Sequence, residues 1–222
     1  MTDSQVRAIE SLAETCQFGS GSRHAHKVAT LASAIFDQLA ARNLLQSLHI
    51  SERRTLIAAS YIHDIGTFRA IDEGPAVQSS AGHSSREPES QCLASFQTLK
   101  SILVDPPAAL RREPLNAVDR SALLYAVLWH GQSQPHVVAD EPIVDDFSTR
   151  VIAGILRVAE ALDSPARPVV RDVLVRSTSN YIRFLVRTTH SPEGEIDLAQ
   201  ERSDMLSEAL GQRIFVQEVI EA

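Results

Sequence analysis

Five histidine and aspartate residues stand where the helical pattern of this chain calls for apolar side chains. His24 shares a stripe with Val28, Leu31, Ile35 and Leu39, at offsets of four, seven, eleven and fifteen residues. His26, about 200° further round the same helix, should face water. His63 falls on the face of Leu56 and Ala59, with Asp64 beside it at the helix end. Asp163 follows Ala159, Leu156 and Ile152 by four, seven and eleven residues, and His130 follows Val127 and Leu123 by three and seven. An ionised carboxylate turned inward is costly unless it is paired, hydrogen-bonded or coordinated to a metal, and imidazole obeys the same rule more mildly. Taken singly, each histidine is more readily a satisfied core or cap residue. The conjunction points elsewhere: His24, His63, Asp64 and Asp163, from three helices, form a nitrogen and oxygen ligand set. Such a set suits Mn, Fe, Mg or Zn and not a thiolate-bound metal.

The elements that must position these residues follow from periodicity. Apolar residues recurring at three and four positions predict helices over 3–15, 22–42, 51–65, 87–103, 117–130 and 145–163. Ser22 and Ser51 precede helical patterns where a hydroxyl can cap free amides, and Gly66 and Gly131 supply stops. Gly74 to Pro88, rich in Ser, Gly and Pro, reads as a loop. After Pro168 the period changes to two: Val173 and Val175, then Ile182, Phe184 and Val186, alternate with polar residues, with a hairpin turn at Ser177 to Asn180. A helical pattern from Asp197 to Leu210, stopped by Gly211, leads into a strand from Ile214 to Ile220. The expected architecture is a mainly α, helical domain over 1–166, followed by a small α+β lobe (β-β-α-β) over 167–222.

Composition narrows the function classes. A hydrophobic fraction of 44% and a charged fraction of 22% are those of an ordinary globular chain. No apolar run approaches the roughly 18 residues of a membrane span, and the first residues are acidic and polar where a signal peptide would be basic and then apolar, so the expected compartment is the cytoplasm. Cys16 and Cys92 have no second sulfur nearby in sequence and read as ordinary thiols. The net charge of -7 argues against extended nucleic acid as a partner but not against a small phosphorylated anion. Pairing through the lobe could join two copies into a homodimer.

The order His, then His-Asp, then a distant Asp resembles the HD superfamily of metal-dependent phosphohydrolases. More closely, RHAHKVATLASAIFDQLA (23–40), AASYIHDIGTF (58–68), LWHG (128–131) and ILRVAEALD (155–163) resemble the C-terminal HD region of the exopolyphosphatase and guanosine pentaphosphate phosphatase family. VRDVLVRS (170–177) and the elements after it resemble the small lobe that follows HD there. The longer members carry an actin-like pair of domains with the polyphosphate-hydrolysing site, and 222 residues leave no room for it, so that activity does not carry over. All four ligand positions of the HD pattern are intact. The HDIG string also resembles cyclic-dinucleotide phosphodiesterases, but their companion GYP segment is missing.

The resemblance implies a metal-activated water attacking a phosphate ester or anhydride of a nucleotide or polyphosphate-like anion. Asp64 is the expected catalytic residue, orienting that water besides holding the metal. The resemblance further implies that His83, in GHS, and His130 bind a second metal or support the ligands from behind. Lys27, Arg157 and Arg69 are candidate phosphate contacts, against the competing reading of surface ion pairs. The rival functions are a non-catalytic regulatory module that binds a nucleotide or alarmone, and a relic whose His and Asp are merely hydrogen-bonded.

Overall fold

The apolar stripes fold into helices close to the expected places. The computed structural model describes residues 1–16, 20–45, 48–67, 88–131, 146–163, 169–192 and 194–219, with backbone alone at 16, 20–22, 67 and 88–90. The helices are α1 (Asp3–Cys16), α2 (Ser20–Ala40), α3 (Ile50–Ile62), α4 (Pro88–Val104), α5 (Ala108–Arg112), α6 (Ala117–Trp129) and α7 (Phe147–Ala161). A 3-10 turn, Ile65–Thr67, follows α3. Helix α7 is central: Val151 to Ala159 are all buried, as befits a helix apolar around most of its circumference. Asp146 caps it by accepting the Thr149 N–H at 2.8 Å. Among the described residues, no helix is long and apolar enough to cross a membrane.

Several expectations change. Ser22 lies inside α2, which begins at Ser20. Helix α3 begins at Ile50, with the His49 N–H donating to Glu52 Oε2 at 2.8 Å, while the Ser51 hydroxyl donates to the same carboxylate. Helix α5 has no counterpart in the sequence reading, because five residues are too few to display a period. The expected Gly74–Pro88 loop lies outside the described residues apart from Pro88, which opens α4.

The lobe is a three-stranded sheet of β1 (Val170–Ser177), β2 (Tyr181–Thr188) and β3 (Arg213–Val219), in the order β1-β2-β3. β1 and β2 form the expected antiparallel hairpin, closed by the Thr178 N–H donating to the Tyr181 carbonyl at 2.9 Å. β3 runs parallel to β2, so a crossover is required, and two short helices supply it: α8 (Glu195–Glu201) and α9 (Asp204–Leu210). The single helix expected over 197–210 is broken at Arg202 and Ser203. The Ser203 hydroxyl takes the Gln200 carbonyl at 2.7 Å, a local alternative to the helical hydrogen bond. Val175, Phe184 and Val216 stand in register and point inward.

Both sheet edges are satisfied by glutamine. Gln38 of α2 donates to the Val173 carbonyl and accepts from the Val175 N–H, each at 2.8 Å. Gln200 of α8 does the same for Ile214 and Val216 of β3, at 3.0 and 2.8 Å. Each side-chain amide stands in for one residue of a missing neighbouring strand.

Helix α9 packs tightly on α7 at Gly154, where an added Cβ would lie 2.8 Å from Leu206 Cβ and 2.9 Å from its backbone N. Alanine is the better helix former by about 1 kcal/mol. Overpacking against backbone costs about 1–3 kcal/mol and should win. Gly154→Ala is therefore expected to lower the urea midpoint at an unchanged slope; a raised midpoint would mean that α9 has room to move aside.

Candidate metal centre

Helix ends bring the site together. His63 is the residue after α3, His130 the residue after α6, and Asp163 lies two residues past α7. Near such ends the last carbonyls have no helical partner. His63 Nδ1 lies 2.9 Å from the Ser60 carbonyl oxygen, and His130 Nδ1 lies 2.6 Å from that of Val127. Each ring therefore donates from Nδ1 to the carbonyl three residues back. His24, near the start of α2, places Nδ1 2.8 Å from Asp163 Oδ2 and donates to that carboxylate.

These acceptors decide the tautomers. With its proton on Nδ1, a neutral imidazole presents a lone pair at Nε2. The Nε2 atoms of His24 and His63 stand 3.2 Å apart, and Asp64 Oδ2 lies 3.5 Å from His63 Nε2. The donor atoms of His24, His63 and Asp64 all fall within 4.8 Å of one another. Burial pushes the His63 pKa down to about 4 even though the Asp64 charge pulls it up, so the ring is neutral at ordinary pH. Two nitrogen lone pairs and a carboxylate crowded into a buried corner repel one another unless a cation is shared among them. The set fits a divalent ion with borderline or hard preferences.

Asp163, 4% exposed, meets His24 on the far side of the ring from this convergence. It is placed to fix the His24 tautomer and aim its Nε2, as carboxylates behind metal-bound histidines do. His130 also stays off the convergence point. Its Nε2 is 3.6 Å from Asp64 Oδ1 and 3.8 Å from Cys92 Sγ. Burial alone would lower its pKa, but Cys92 and the Asp64 carboxylate outweigh that and raise it to about 10. Burial works against Asp64 too, yet the charge of His130 holds its carboxyl well below the usual range. Gln91 Nε2 donates to the same Oδ1 at 3.1 Å. One carboxylate oxygen is thus tied to His130 and Gln91 while the other faces the imidazoles.

Helix α4 delivers Gln91 and Cys92, and its approach depends on a glycine. A Cβ at Gly66 would lie 2.3 Å from Ser95 N, so the turn after His63-Asp64 can touch the α4 backbone only without a side chain. The Gly66 N–H donates to Ser95 Oγ at 3.1 Å.

The expected cations go elsewhere. Lys27 Nζ donates to the Arg171 carbonyl at 2.8 Å. Arg157 is 1% exposed, donating from Nη1 to the Trp129 carbonyl at 3.1 Å, from Nη2 to Asp204 Oδ1 at 2.8 Å and from Nε to the Arg202 carbonyl at 3.3 Å. Its nitrogens are engaged in tying the end of α6, beside His130, to the α8–α9 corner, so it is not a phosphate contact. Next to it Arg202 pairs with Glu160. Arg69 and His83 lie outside the described residues. His26 is exposed as expected, and with Glu10 and Glu14 it makes a second cluster on the surface, of a kind common without an ion.

Sequence reasoning missed Gln91 and Cys92. Only Cys92 left a trace, since a free thiol is among the most buried residue types. Compared with protein-family models and with curated proteins, the chain finds no match.

Two outcomes follow. Titrated with Mn or Zn by calorimetry, the chain should bind the ion, His24→Ala and His63→Ala should abolish binding, and Asp163→Asn should weaken it about 10–100-fold. Unchanged affinity in Asp163→Asn would remove its orienting role. Arg157→Ala should lower stability to urea by about 2–4 kcal/mol, because it strands buried acceptors and opens a cavity; a variant of full stability would show that the arginine is not a structural tie.

Proposed function

We propose that the chain is a metal-dependent phosphohydrolase of the HD type, cleaving a phosphate ester or anhydride of a nucleotide or polyphosphate-like anion. The observation that carries this reading is the convergence of the His24 and His63 Nε2 lone pairs and an Asp64 oxygen, with both tautomers fixed from behind. His24, His63 and Asp64 would hold the ion, one of Mn, Fe, Mg or Zn. When bound, such an ion supplies Lewis acidity towards a phosphoryl oxygen and makes water acidic enough to be a nucleophile near neutral pH.

The chain's own part is positioning. Asp163 keeps the His24 proton on Nδ1, and the Ser60 carbonyl does so for His63. Asp64 is held ionised by the charge of His130. It serves by accepting a hydrogen bond from the attacking water and so fixing its direction. His130 and Gln91 prevent that carboxylate from turning away. The rival regulatory reading keeps the same pocket and the same anion but no turnover.

The test is phosphate release from a panel of nucleoside di-, tri- and tetraphosphates with added Mn, alongside metal analysis of each protein. Release by the wild-type chain and a loss of about a hundredfold or more in Asp64→Asn are expected. Nucleotide binding by a metal-loaded protein that releases no phosphate would assign the regulatory module instead.

A further inference from the structure

The face of the sheet turned away from the helices carries a pattern for which the metal centre has no use. The strand register sets its outward side chains in rows across the strands. Tyr181 stands beside Arg213, and in the next row Arg176, Arg183 and Phe215 follow one another over β1, β2 and β3. The three arginines are exposed, and Phe215 keeps 40% of its surface in water. The Arg183 guanidinium lies 4.9 Å over the Tyr181 ring and donates to its hydroxyl at 3.1 Å, and that ring meets Phe215 edge-to-face at 5.8 Å.

The opposed arginines do not serve folding. Like charges directly opposite one another, as Arg176 and Arg183 are, weaken a sheet. No carboxylate stands in either row. The chain's net charge of -7, which argues against broad phosphate-backbone binding, does not describe this face.

The geometry limits what can lie there. Gln38 and Gln200 already occupy the strand edges, so an added strand would have to displace them. Two rows over three strands, spaced about 4.8 Å apart, offer a few hundred Å² at most. A stable globular interface needs roughly 800 Å² from each partner. A second copy packed face to face would also oppose arginine to arginine, which disfavours a homodimer through this surface. An extended anion fits better. Guanidinium groups pair with phosphates, and aromatic rings on neighbouring strands of an open sheet accept stacked bases. An acidic peptide would use the arginines but leave the exposed Phe215 ring without a counterpart.

We propose that this open sheet face binds single-stranded nucleic acid, with phosphates on Arg176, Arg183 and Arg213 and a base stacked on Phe215. The site shares no residue with the metal centre. The test is fluorescence anisotropy of labelled oligouridylate and oligothymidylate of about twelve nucleotides. The full chain is used, with a chelator present to silence the metal centre. Both oligonucleotides should bind, with log affinity falling against log salt at a slope of about -2, as three single-strand phosphate contacts require. Phe215→Ala and Arg183→Gln should each weaken binding on the order of tenfold, and Arg111→Gln, whose arginine pairs with Asp105 away from the sheet, should not. Circular dichroism of each variant confirms that it is folded. The proposal is overturned if neither oligonucleotide binds at low salt, if the face variants bind as the wild type does, if a duplex binds equally well, or if an oligoglutamate peptide binds as tightly, which would make the partner an acidic protein.

Discussion

Everything at the candidate centre depends on where three protons sit. Each of His24, His63 and His130 has an acceptor behind Nδ1: a carboxylate, and two carbonyls left over at the ends of helices α3 and α6. The helix ends are thereby satisfied and the rings are aimed in a single stroke. Backbone geometry, which is stiff, sets imidazole chemistry, which would otherwise be free to rotate. The buried helix α7 and the close touch of Gly66 on α4 fix these helix ends relative to one another.

Asp64 is the hinge between two environments. One oxygen belongs to a neutral imidazole corner, the other to a polar corner of His130, Gln91 and Cys92. The His130 charge that holds it ionised also lowers the Cys92 thiol, and Cys92 and Asp64 in turn raise His130. Phosphate neutralisation was expected from Arg157 and Lys27, but both are committed to carbonyls and, for Arg157, to Asp204. On the proposed reading, the ion would therefore carry more of the charge stabilisation than the sequence suggested.

How much was legible can be judged residue by residue. The inward direction of His24 and His63 was readable because each shares a stripe with residues that are indeed buried, such as Val28, Leu31, Leu56 and Ala59. Asp163 was found for an incomplete reason: its helix ends at Ala161, and the Leu162 N–H bond to the Val158 carbonyl and the Asp163 N–H bond to the Glu160 carbonyl carry the turn on to it. Arg157 was misread because a helix buried on nearly every side has no polar face for a cation to announce. Its partner Asp204 is 47 residues further on, across a crossover that periodicity cannot place. The contacts of Gln91 and Cys92 with Asp64 and His130 were hidden for the same reason, since a period describes one helix and says nothing of what its neighbour touches. The division of the crossover into α8 and α9 turned on one serine hydroxyl, a competition too local for a hydrophobic pattern to register.

The two glutamines at the sheet edges have a consequence that depends on the order in which the chain emerges during synthesis. Gln38 is made well before β1, so the first edge meets its seal as soon as the hairpin forms. The other side of β2 has no such protection until β3, the last described element, arrives with Gln200 already beside it. A ribosome stalled before residue 213 would hold a hairpin with one raw edge, a template for sticking to its neighbours.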